Sequence, residues 1–372
     1  MQRKIYIHQH KNWPNFEWDS AYLLPLIGEV RNMQGNLFGK MEALGFELRN
    51  EAQLESLSQD VIKSSEIEGE ILDKDQVRSS LARRLGIEIS GLIDSDRNVD
   101  GVVEMMLDAT QNYDQELNKK RLFAWHSSLF PFGWSGMHQI KVGEWRNDAS
   151  GPMQVISGAM GKEKVHFEAP SSNILKKEMK IFLRWFNNEN ELDLVLKAGI
   201  AHLWFITIHP FEDGNGRIAR ALTDLLLTRS ENSKQRFYSM SAQIRIERKQ
   251  YYEILEKTQK QNLSITKWLE WFLVCLKGAL ELSSIILQKV LIKHDFWKEH
   301  KGKLNSRQEK MMNKLLDGFD GKLTSSKWAK INKCSKDTAI RDIQDLIKKN
   351  ILRQEAAGGR STNYKLIRIF EK

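Results

Sequence analysis

The part of this chain with the most chemically useful side chains is residues 209–220, His-Pro-Phe-Glu-Asp-Gly-Asn-Gly-Arg-Ile-Ala-Arg. This stretch lies between apolar segments at 198–208 and 218–227. The pattern predicts a tight loop that joins two buried helices and displays its polar groups at the tip. Gly214 and Gly216 permit backbone conformations in which successive N–H groups converge on an anion. The stretch therefore predicts a phosphate site.

The charged side chains of this stretch support the same interpretation. Arg217 and Arg220 are three residues apart, so they share one face at the start of the second helix, where the helix dipole also favours an anion. Asp213 would repel a bare phosphate, and its presence therefore indicates a Mg²⁺ ion between the two. His209, with an ordinary pKa of about 6.5, is suited to take a proton from a hydroxyl at neutral pH. A plain capped helix–helix turn, the alternative, accounts poorly for so many specified residues.

The stretch resembles the signature of the Fic family, His-Pro-Phe-x-(Asp/Glu)-Gly-Asn-Gly-Arg-x-x-Arg, at every specified position. Most members of that family transfer AMP from ATP to a Ser, Thr or Tyr hydroxyl of a protein. The resemblance implies that His209 is the general base, that Asp213 holds Mg²⁺ and that ATP is the substrate. Phe211 is expected to bury its ring and fix the loop. The phosphate-binding residues that the resemblance implies are Gly214, Asn215, Gly216, Arg217 and Arg220.

An upstream stretch resembles the flap of the same family. The motif Gly-Glu-Trp-Arg at 143–146 precedes short β-prone segments that surround Gly158, Gly161 and a charged turn, which predicts a hairpin. In the family the flap pairs with the backbone of the target segment by strand addition. The implied target-binding residues are Val155, Ile156, Ser157, Gly158, Val165 and Phe167. His166, in the same hairpin, is expected to be structural or to line the target. An ordinary surface hairpin is the alternative.

A third resemblance concerns control of activity. Residues 64–69 fit the inhibitory pattern of the family, (Ser/Thr)-x-x-x-Glu-(Gly/Asn), and apolar residues from 54 to 62 have helical spacing. Ser64 and Glu68 are four residues apart and so share one helix face. The resemblance implies that Glu68 pairs with Arg220 and keeps the γ-phosphate out of its productive position. The alternative is a solvated acidic helix end.

Composition limits the class of protein. The chain has 372 residues, 41% of them hydrophobic, with a mean hydropathy of −0.49, which is typical of a soluble globular protein of two or three domains. No apolar run approaches the roughly eighteen residues of a membrane span, and no signal-peptide core is present, so no membrane partner is expected. With only Cys275 and Cys334, neither a disulfide framework nor a structural zinc site is supported. A cytoplasmic location is predicted.

The periodicity predicts a mostly α-helical chain in three parts. Residues 1–112 form a helical extension with the inhibitory helix, 113–285 a Fic-type catalytic core with a β-hairpin flap, and 300–372 a C-terminal module. Aromatic residues within the first twenty are expected to hold an N-terminal strand or turn on the body. A predicted helix at 246–259 contains Tyr251 and Tyr252. Tyr252 is the candidate for the adenine pocket, and a core role is the alternative.

The C-terminal module carries the positive charge of the chain. Net charge is +9, and residues 301–372 hold 18 Lys and Arg against 8 Asp and Glu. Three predicted helices and a glycine-tipped hairpin with strands at 351–354 and 364–369 resemble a winged helix-turn-helix. Such a module binds duplex DNA or docks proteins, and the basic excess fits phosphate contacts. The candidate DNA-binding residues are Lys333, Lys336, Arg341 and, at the wing tip, Arg360.

The favoured function is an autoinhibited protein AMP-transferase that acts on a protein hydroxyl, with Mg²⁺ as cofactor. One alternative is a different Fic reaction, namely removal of AMP or transfer of another nucleotide-borne group. Another is a DNA-binding regulator whose Fic domain senses nucleotide. The candidate partners are a protein with an accessible hydroxyl, the chain itself, a second copy in a homodimer, and duplex DNA.

Overall fold

The computed structural model describes residues 5–149, 151–158, 161–300, 302–319, 321–355 and 362–367. These residues are mostly helical, with three small antiparallel sheets of two strands each, which confirms the predicted mostly-α class. They divide into two compact units, one of residues 1–87 and 93–284 and the other of residues 88–92 and 285–372. No helix within the described ranges is long and apolar enough to cross a membrane.

The first unit opens with a short 3-10 turn and four helices. Their bounds are Ile7–Gln9 for the turn, then α1 (Ser20–Glu42), α2 (Phe46–Ile67), α3 (Lys74–Leu85) and α4 (Arg97–Gln111). Aspartate side chains cap α1, α3 and α4 at Asp19, Asp73 and Asp96, each accepting a backbone N–H of the first turn. The sequence left a strand or a turn open for the N-terminal segment. In its described residues the segment is a turn with an isolated parallel bridge from Glu17 to Ser264.

The rest of the first unit surrounds a fully buried helix pair. Its elements are α5 (Lys119–Leu129), β1 (Trp134–Ser135), β2 (His138–Gln139), β3 (Gln154–Ser157), β4 (Lys164–Glu168), α6 (Ser172–Asn188), α7 (Leu194–Ile208), α8 (Asn215–Glu231), α9 (Met240–Ile246), α10 (Arg248–Gln259) and the first part of α11 (Thr266–His300), whose residues from 285 onward belong to the second unit. Helix α7 is buried from Val195 to Ile208 because it is apolar on all sides, and it packs along α8. The loop between these two helices is the chemically rich stretch at 209–220.

One helix differs from its prediction. The helix expected at 246–259 begins at Arg248. A separate helix, α9, precedes it, and the Ser239 side chain caps the start of α9 by accepting the N–H of Ala242. Helix α11 extends to His300. Periodicity therefore located α10 but not its first residue.

A buried ionic cluster fixes α2 against α8 and α9. The Asp60 carboxylate on α2 accepts the Ser239 hydroxyl at 2.6 Å and the Ser241 N–H at 3.1 Å. Arg236 donates to Asp224 of α8 at 2.7 Å, and burial raises the pKa of both aspartates. Because a buried charge without its partner is costly, the cluster holds α2 in one position one turn before Ser64.

In its described residues the second unit holds the end of α11, three short helices and one small sheet. The short helices and the strands are α12 (Ser306–Leu316), α13 (Ser325–Asn332), α14 (Lys336–Lys348), β5 (Leu352–Gln354) and β6 (Tyr364–Leu366). The side chains of Thr324 and Ser335 cap α13 and α14. Their core includes Phe296, Met311, Trp328, Ile343 and Leu346. Strand β6 ends at Leu366, earlier than the predicted residue 369, and residues 356–361 of the predicted hairpin tip at 356–363 lie outside the described residues.

Candidate functional site

His209 directly follows α7 and adopts a left-handed backbone conformation, with φ of 52°. Its Nδ1 lies 3.2 Å from the carbonyl oxygen of Ile206. A carbonyl only accepts hydrogen bonds, so Nδ1 carries the hydrogen and the lone pair of the neutral ring lies on Nε2. Burial is the main reason that the pKa of His209 is lowered to about 4, and the charge of Arg146 acts in the same direction. At neutral pH the ring is therefore in the form that accepts a proton.

The loop after His209 is closed by Asn215. Its side-chain oxygen accepts the N–H of Phe211 at 3.0 Å, and its amide nitrogen donates to the carbonyl of Phe211 at 2.8 Å. Phe211 is fully buried, as the sequence predicts, and stacks on the ring of His126 with centroids 4.2 Å apart. The Asn215 amide is thus occupied inside the loop, so a contact to phosphate would come from its backbone.

Helix α8 begins without a side-chain cap. Gly214, at φ of 79°, precedes the helix, and no side chain of this residue can bond the first-turn amides. A Cβ at Gly214 would lie 2.9 Å from the ring of Phe130, so both the φ angle and the space require glycine. The first turn of α8 thereby exposes backbone amides and the positive end of the helix dipole to a ligand.

The Glu68 carboxylate occupies this helix end. Its Oε1 lies 2.8 Å from Nη2 of Arg220 and 2.1 Å from where a Cβ of Gly216 would be. Ser64 adds two contacts to Arg220. Nε of Arg220 donates to the Ser64 hydroxyl and Nη2 donates to the Ser64 carbonyl, each at 2.9 Å. Ser64, in the last turn of α2, and Glu68, directly after that helix, therefore meet Arg220 from the same side. The carboxylate lies where an anion would bind.

A second acid engages the other arginine. Oε2 of Glu70 lies 2.6 Å from Nη1 of Arg217, whose guanidinium lies 4.9 Å over the Phe130 ring. Burial raises the pKa of Glu70, and the charges of Asp213 and Glu68 raise it further against the effect of Arg217. The sequence did not predict this contact. Glu70 reaches Arg217 after Gly69, whose φ of 88° turns the chain at the end of α2.

Both arginines retain capacity for further hydrogen bonds. Nε of Arg217 and Nη1 of Arg220 are buried and have no hydrogen-bond partner among the described residues. A buried guanidinium N–H without a partner costs free energy, which an oxygen-rich anion would recover.

Asp213 lies beside the helix end and is held at three atoms. Its Oδ1 accepts the N–H of Gly214 at 2.6 Å, and its Oδ2 accepts the hydroxyl of Ser135. Its carbonyl lies 3.2 Å from Nε2 of His126, whose Nδ1 accepts the N–H of Gly143 at 3.1 Å. The neutral His126 ring, whose pKa burial lowers to about 4, thus positions the Asp213 backbone. Sequence reasoning missed both Ser135 and His126, which no motif marks.

The predicted flap is an antiparallel hairpin of β3 and β4 with a register shift between Val155 and Ile156. Val155, Ile156 and Val165 are exposed, as are Ser157 and Gly158. Phe167 is only 1% exposed because its ring packs against those of Tyr6 and His8. The Phe167 side chain is therefore covered, and the part of this residue that strand addition would use is its backbone.

His166 and the tyrosines of α10 have distinct environments. His166 binds Glu256 through Nδ1 at 2.6 Å and the Ser157 hydroxyl through Nε2 at 2.5 Å, so it ties the hairpin to α10. Tyr251 is buried, with its hydroxyl 2.9 Å from Nε2 of His202. Tyr252 is 37% exposed and lies beneath the Arg248 guanidinium, so it is the tyrosine that a ligand can reach.

The candidate DNA-binding residues lie around α14 in the second unit. Lys333, in the turn before the helix, has φ of 48°, and its side chain is exposed. Lys336 and Arg341 are exposed on α14. Arg360 lies outside the described residues.

Two family models match the chain. Residues 116–227 match the Fic/DOC family, and residues 6–87 match a domain of unknown function, DUF4172. The part that matches the Fic/DOC family includes the loop with His209 and the start of α8 with Arg217 and Arg220.

Curated relatives of the chain are named protein adenylyltransferases. A probable protein adenylyltransferase of Aquifex aeolicus is 36% identical over 113 residues, which are 30% of this chain and 31% of that protein. The protein adenylyltransferase Fic of Drosophila grimshawi is 27% identical over 235 residues, 62% of this chain and 44% of that protein. The chain thus spans less than half the length of these relatives.

A solved structure shares the fold. The Fic domain containing signaling protein of Bacteroides thetaiotaomicron aligns with a TM-score of 0.51 and 21% sequence identity. The alignment covers 71% of this chain and 97% of that chain. At this identity the likeness shows the Fic fold and no more.

Proposed function

We propose that the chain is a protein adenylyltransferase that transfers AMP from ATP to a protein hydroxyl and is held inactive by Glu68. The observation that carries the proposal is the position of the Glu68 carboxylate, 2.8 Å from Arg220 at the open start of α8. A carboxylate that occupies an anion-binding helix start would compete there with the phosphates of a nucleotide. The names of the curated relatives support the same reaction.

The phosphates of ATP would bind where the two acids now lie. Glu68 and Glu70 engage Nη2 of Arg220 and Nη1 of Arg217, while Nη1 of Arg220 and Nε of Arg217 are buried without a partner among the described residues. The first-turn amides of α8, at Asn215 and Gly216, would receive further phosphate oxygens. Tyr252, exposed on α10, is our candidate for contact with the adenine ring.

The residues present fit a Mg²⁺ ion. Mg²⁺ commonly takes one or two carboxylates together with substrate phosphates, and Asp213 supplies a carboxylate beside the helix end. Ser135 and Gly214 hold its two oxygens in place. When bound, the ion would offset negative charge on the phosphates.

His209 would act as the general base. The target hydroxyl forms a bond to the α-phosphorus, and the bond from that phosphorus to pyrophosphate breaks. The proton of the hydroxyl passes to Nε2 of His209, which the Ile206 contact leaves as the unprotonated nitrogen. Pyrophosphate leaves, and His209 returns the proton to solvent.

The flap would present the target. The edge of the β3–β4 hairpin with Val155, Ile156 and Val165 is exposed and can receive an extended segment through backbone hydrogen bonds. Such pairing fixes a hydroxyl without demanding a particular sequence. The target is then a protein with an accessible Ser, Thr or Tyr, and the chain itself is one candidate.

Label transfer from α-labelled ATP tests the proposal. Wild type, Glu68→Gly and His209→Ala would be incubated with Mg²⁺ and a cell extract, and protein-bound label measured. We expect strong labelling by Glu68→Gly, weak labelling by wild type and none by His209→Ala. Release of AMP from pre-labelled protein by wild type, abolished in Glu68→Gly, would instead indicate removal of AMP. Labelling only from another nucleotide would indicate transfer of a different group.

We propose a second function for residues 300–372, contact with duplex DNA through a winged helix-turn-helix. The topology supports it: a bridge joins Leu323, before α13, to Tyr364 of β6, so three extended segments follow the order of a winged helix. The exposed residues Lys333, Lys336 and Arg341 would contact phosphates.

Salt-dependent DNA binding tests this second proposal. Removal of one side chain that binds a phosphate should reduce the slope of log affinity against log salt by about 0.9. We expect Lys336→Glu with Arg341→Glu to weaken binding and to lower this slope. Lys298→Glu, an exposed lysine of the same unit, is the control. Equal binding by the double variant and the control would leave a protein-docking module as the better explanation.

A further inference from the structure

Arg146 is a buried arginine whose side chain is satisfied at all three nitrogens. Nε donates to the carbonyl of His209 at 2.7 Å, and Nη2 donates to the carbonyl of Pro170 at 2.5 Å. Nη1 pairs with Oδ1 of Asp148 at 2.7 Å. Its own N–H donates to the carbonyl of Pro210 at 2.9 Å. With 3% of its surface exposed, the residue is placed to hold backbone rather than to meet a ligand.

Two of these contacts join parts of the site that are separate in sequence. His209 has a left-handed backbone, a conformation that non-glycine residues seldom adopt, and its carbonyl is held by Arg146. Pro170 follows strand β4, at the foot of the flap. One rigid planar group therefore fixes the backbone of His209 relative to the foot of the hairpin.

We propose that Arg146 is a positioning residue that keeps His209 in register with the flap, and thus with the hydroxyl that the flap presents. This inference rests on the proposed function, since it needs a target on the flap and a base at His209. Proton transfer depends on the separation of base and hydroxyl, and a displacement of about 1 Å can cost about 100-fold in rate.

The charge of Arg146 supplies a second, independent readout. Besides burial, Arg146 lowers the pKa of His209, whereas Asp213 and Glu68 raise it. A variant without positive charge at 146 should therefore raise the pKa of His209. A lysine at 146 keeps the charge but not the planar fork, so it separates geometry from electrostatics.

The test compares Arg146→Lys, Arg146→Met and Asp148→Asn in the full chain, each combined with Glu68→Gly. Asp148→Asn weakens the Nη1 contact but leaves the Nε bond to His209, so it controls for general loosening. The measurements are the His209 pKa by NMR titration, and kcat and KM for ATP. Thermal melts would confirm that each variant folds.

We expect Arg146→Lys to lower kcat about 10- to 100-fold with little change in KM for ATP and an unchanged His209 pKa. Arg146→Met should lower kcat and also raise the His209 pKa, and Asp148→Asn should retain most of kcat. Folded lysine and methionine variants with the parent kcat would overturn the proposal. A reduction of kcat in Asp148→Asn equal to that in the Arg146 variants would also overturn it. If Arg146→Met does not fold, the comparison of Arg146→Lys with Asp148→Asn still tests the proposal.

The outcomes separate this inference from the proposed function. If the Glu68→Gly parent transfers no AMP, the proposed function fails, and the His209 titration still reports whether Arg146 controls its environment. If the parent is active and the Arg146 variants match it, only the inference fails.

Discussion

Oε2 of Glu70 lies 2.6 Å from Nη1 of Arg217. The two acids on either side of Gly69 therefore engage the two arginines in the first turns of α8. Glu68 meets Arg220 and Glu70 meets Arg217. Removal of Glu68 alone therefore leaves Arg217 paired with Glu70.

Glu70→Gln, added to Glu68→Gly, should lower KM for ATP further. The side chain of Glu70 is 45% exposed, so solvent weakens its ion pair and we expect only about a two- to five-fold change. Glu66→Gln is the matched control, since Glu66 pairs with Lys63 at 2.8 Å and not with the loop. An equal effect of both substitutions would show that general charge, not the Arg217 contact, is responsible.

The pH dependence of transfer should reflect a depressed histidine. The pKa of His209 is lowered to about 4, mainly by burial, and a general base works only when unprotonated. Activity is therefore present above that pKa and disappears as pH falls through it. The charge of Glu68 raises the pKa of His209, so its removal in Glu68→Gly should not move that pKa upward. In that variant kcat/KM for a target at saturating ATP should be flat from about pH 6 to 8. An inflection near the ordinary histidine pKa of about 6.5 would contradict the half-buried, neutral ring.

Asn215→Ala should destabilise the loop. It removes both partners of the Phe211 backbone inside a buried region, which should cost about 1–3 kcal/mol in the free energy of unfolding. Asn215→Asp, which keeps the acceptor for the Phe211 N–H but not the donor, serves as the comparison. Urea unfolding measures both. A decrease below about 0.5 kcal/mol in the alanine variant would mean that the clamp is not formed.

The two sides of the flap should respond differently to substitution. Ile156 is 54% exposed on the proposed target edge, and Ile156→Asp should reduce target labelling while ATP binding and stability stay near the parent values. Phe167→Ala, on the covered side, should cost about 3–5 kcal/mol in stability. Thermal melts and labelling assays on both variants test this. Unchanged labelling by Ile156→Asp would show that the flap edge does not bind the target.

The sequence predicts the loop well because its chemistry is local. Residues 209–220 carry the turn glycines, the acid and the arginines in one run, and the apolar segments on both sides predict the buried α7 and α8. Helix periodicity likewise places Ser64 and Glu68 on one face of α2. These features depend on neighbours within a few residues.

Other parts of the site depend on contacts between distant segments. Arg146 reaches His209, and His126 reaches Asp213, through folding that no short pattern encodes. Strand alternation gives Phe167 a side of the hairpin but does not show that Tyr6 and His8 cover that side. Such contacts need the tertiary structure.

The most direct test of the central claim is the initial rate of AMP transfer to protein by wild type, Glu68→Gly, and Glu68→Gly with His209→Ala, at equal ATP and Mg²⁺. We predict that Glu68→Gly is at least about 10-fold faster than wild type, since the carboxylate no longer occupies the Arg220 site. We also predict that adding His209→Ala abolishes transfer although ATP still binds. Equal rates for wild type and Glu68→Gly, or transfer that survives without His209, would contradict autoinhibited AMP transfer with His209 as the base.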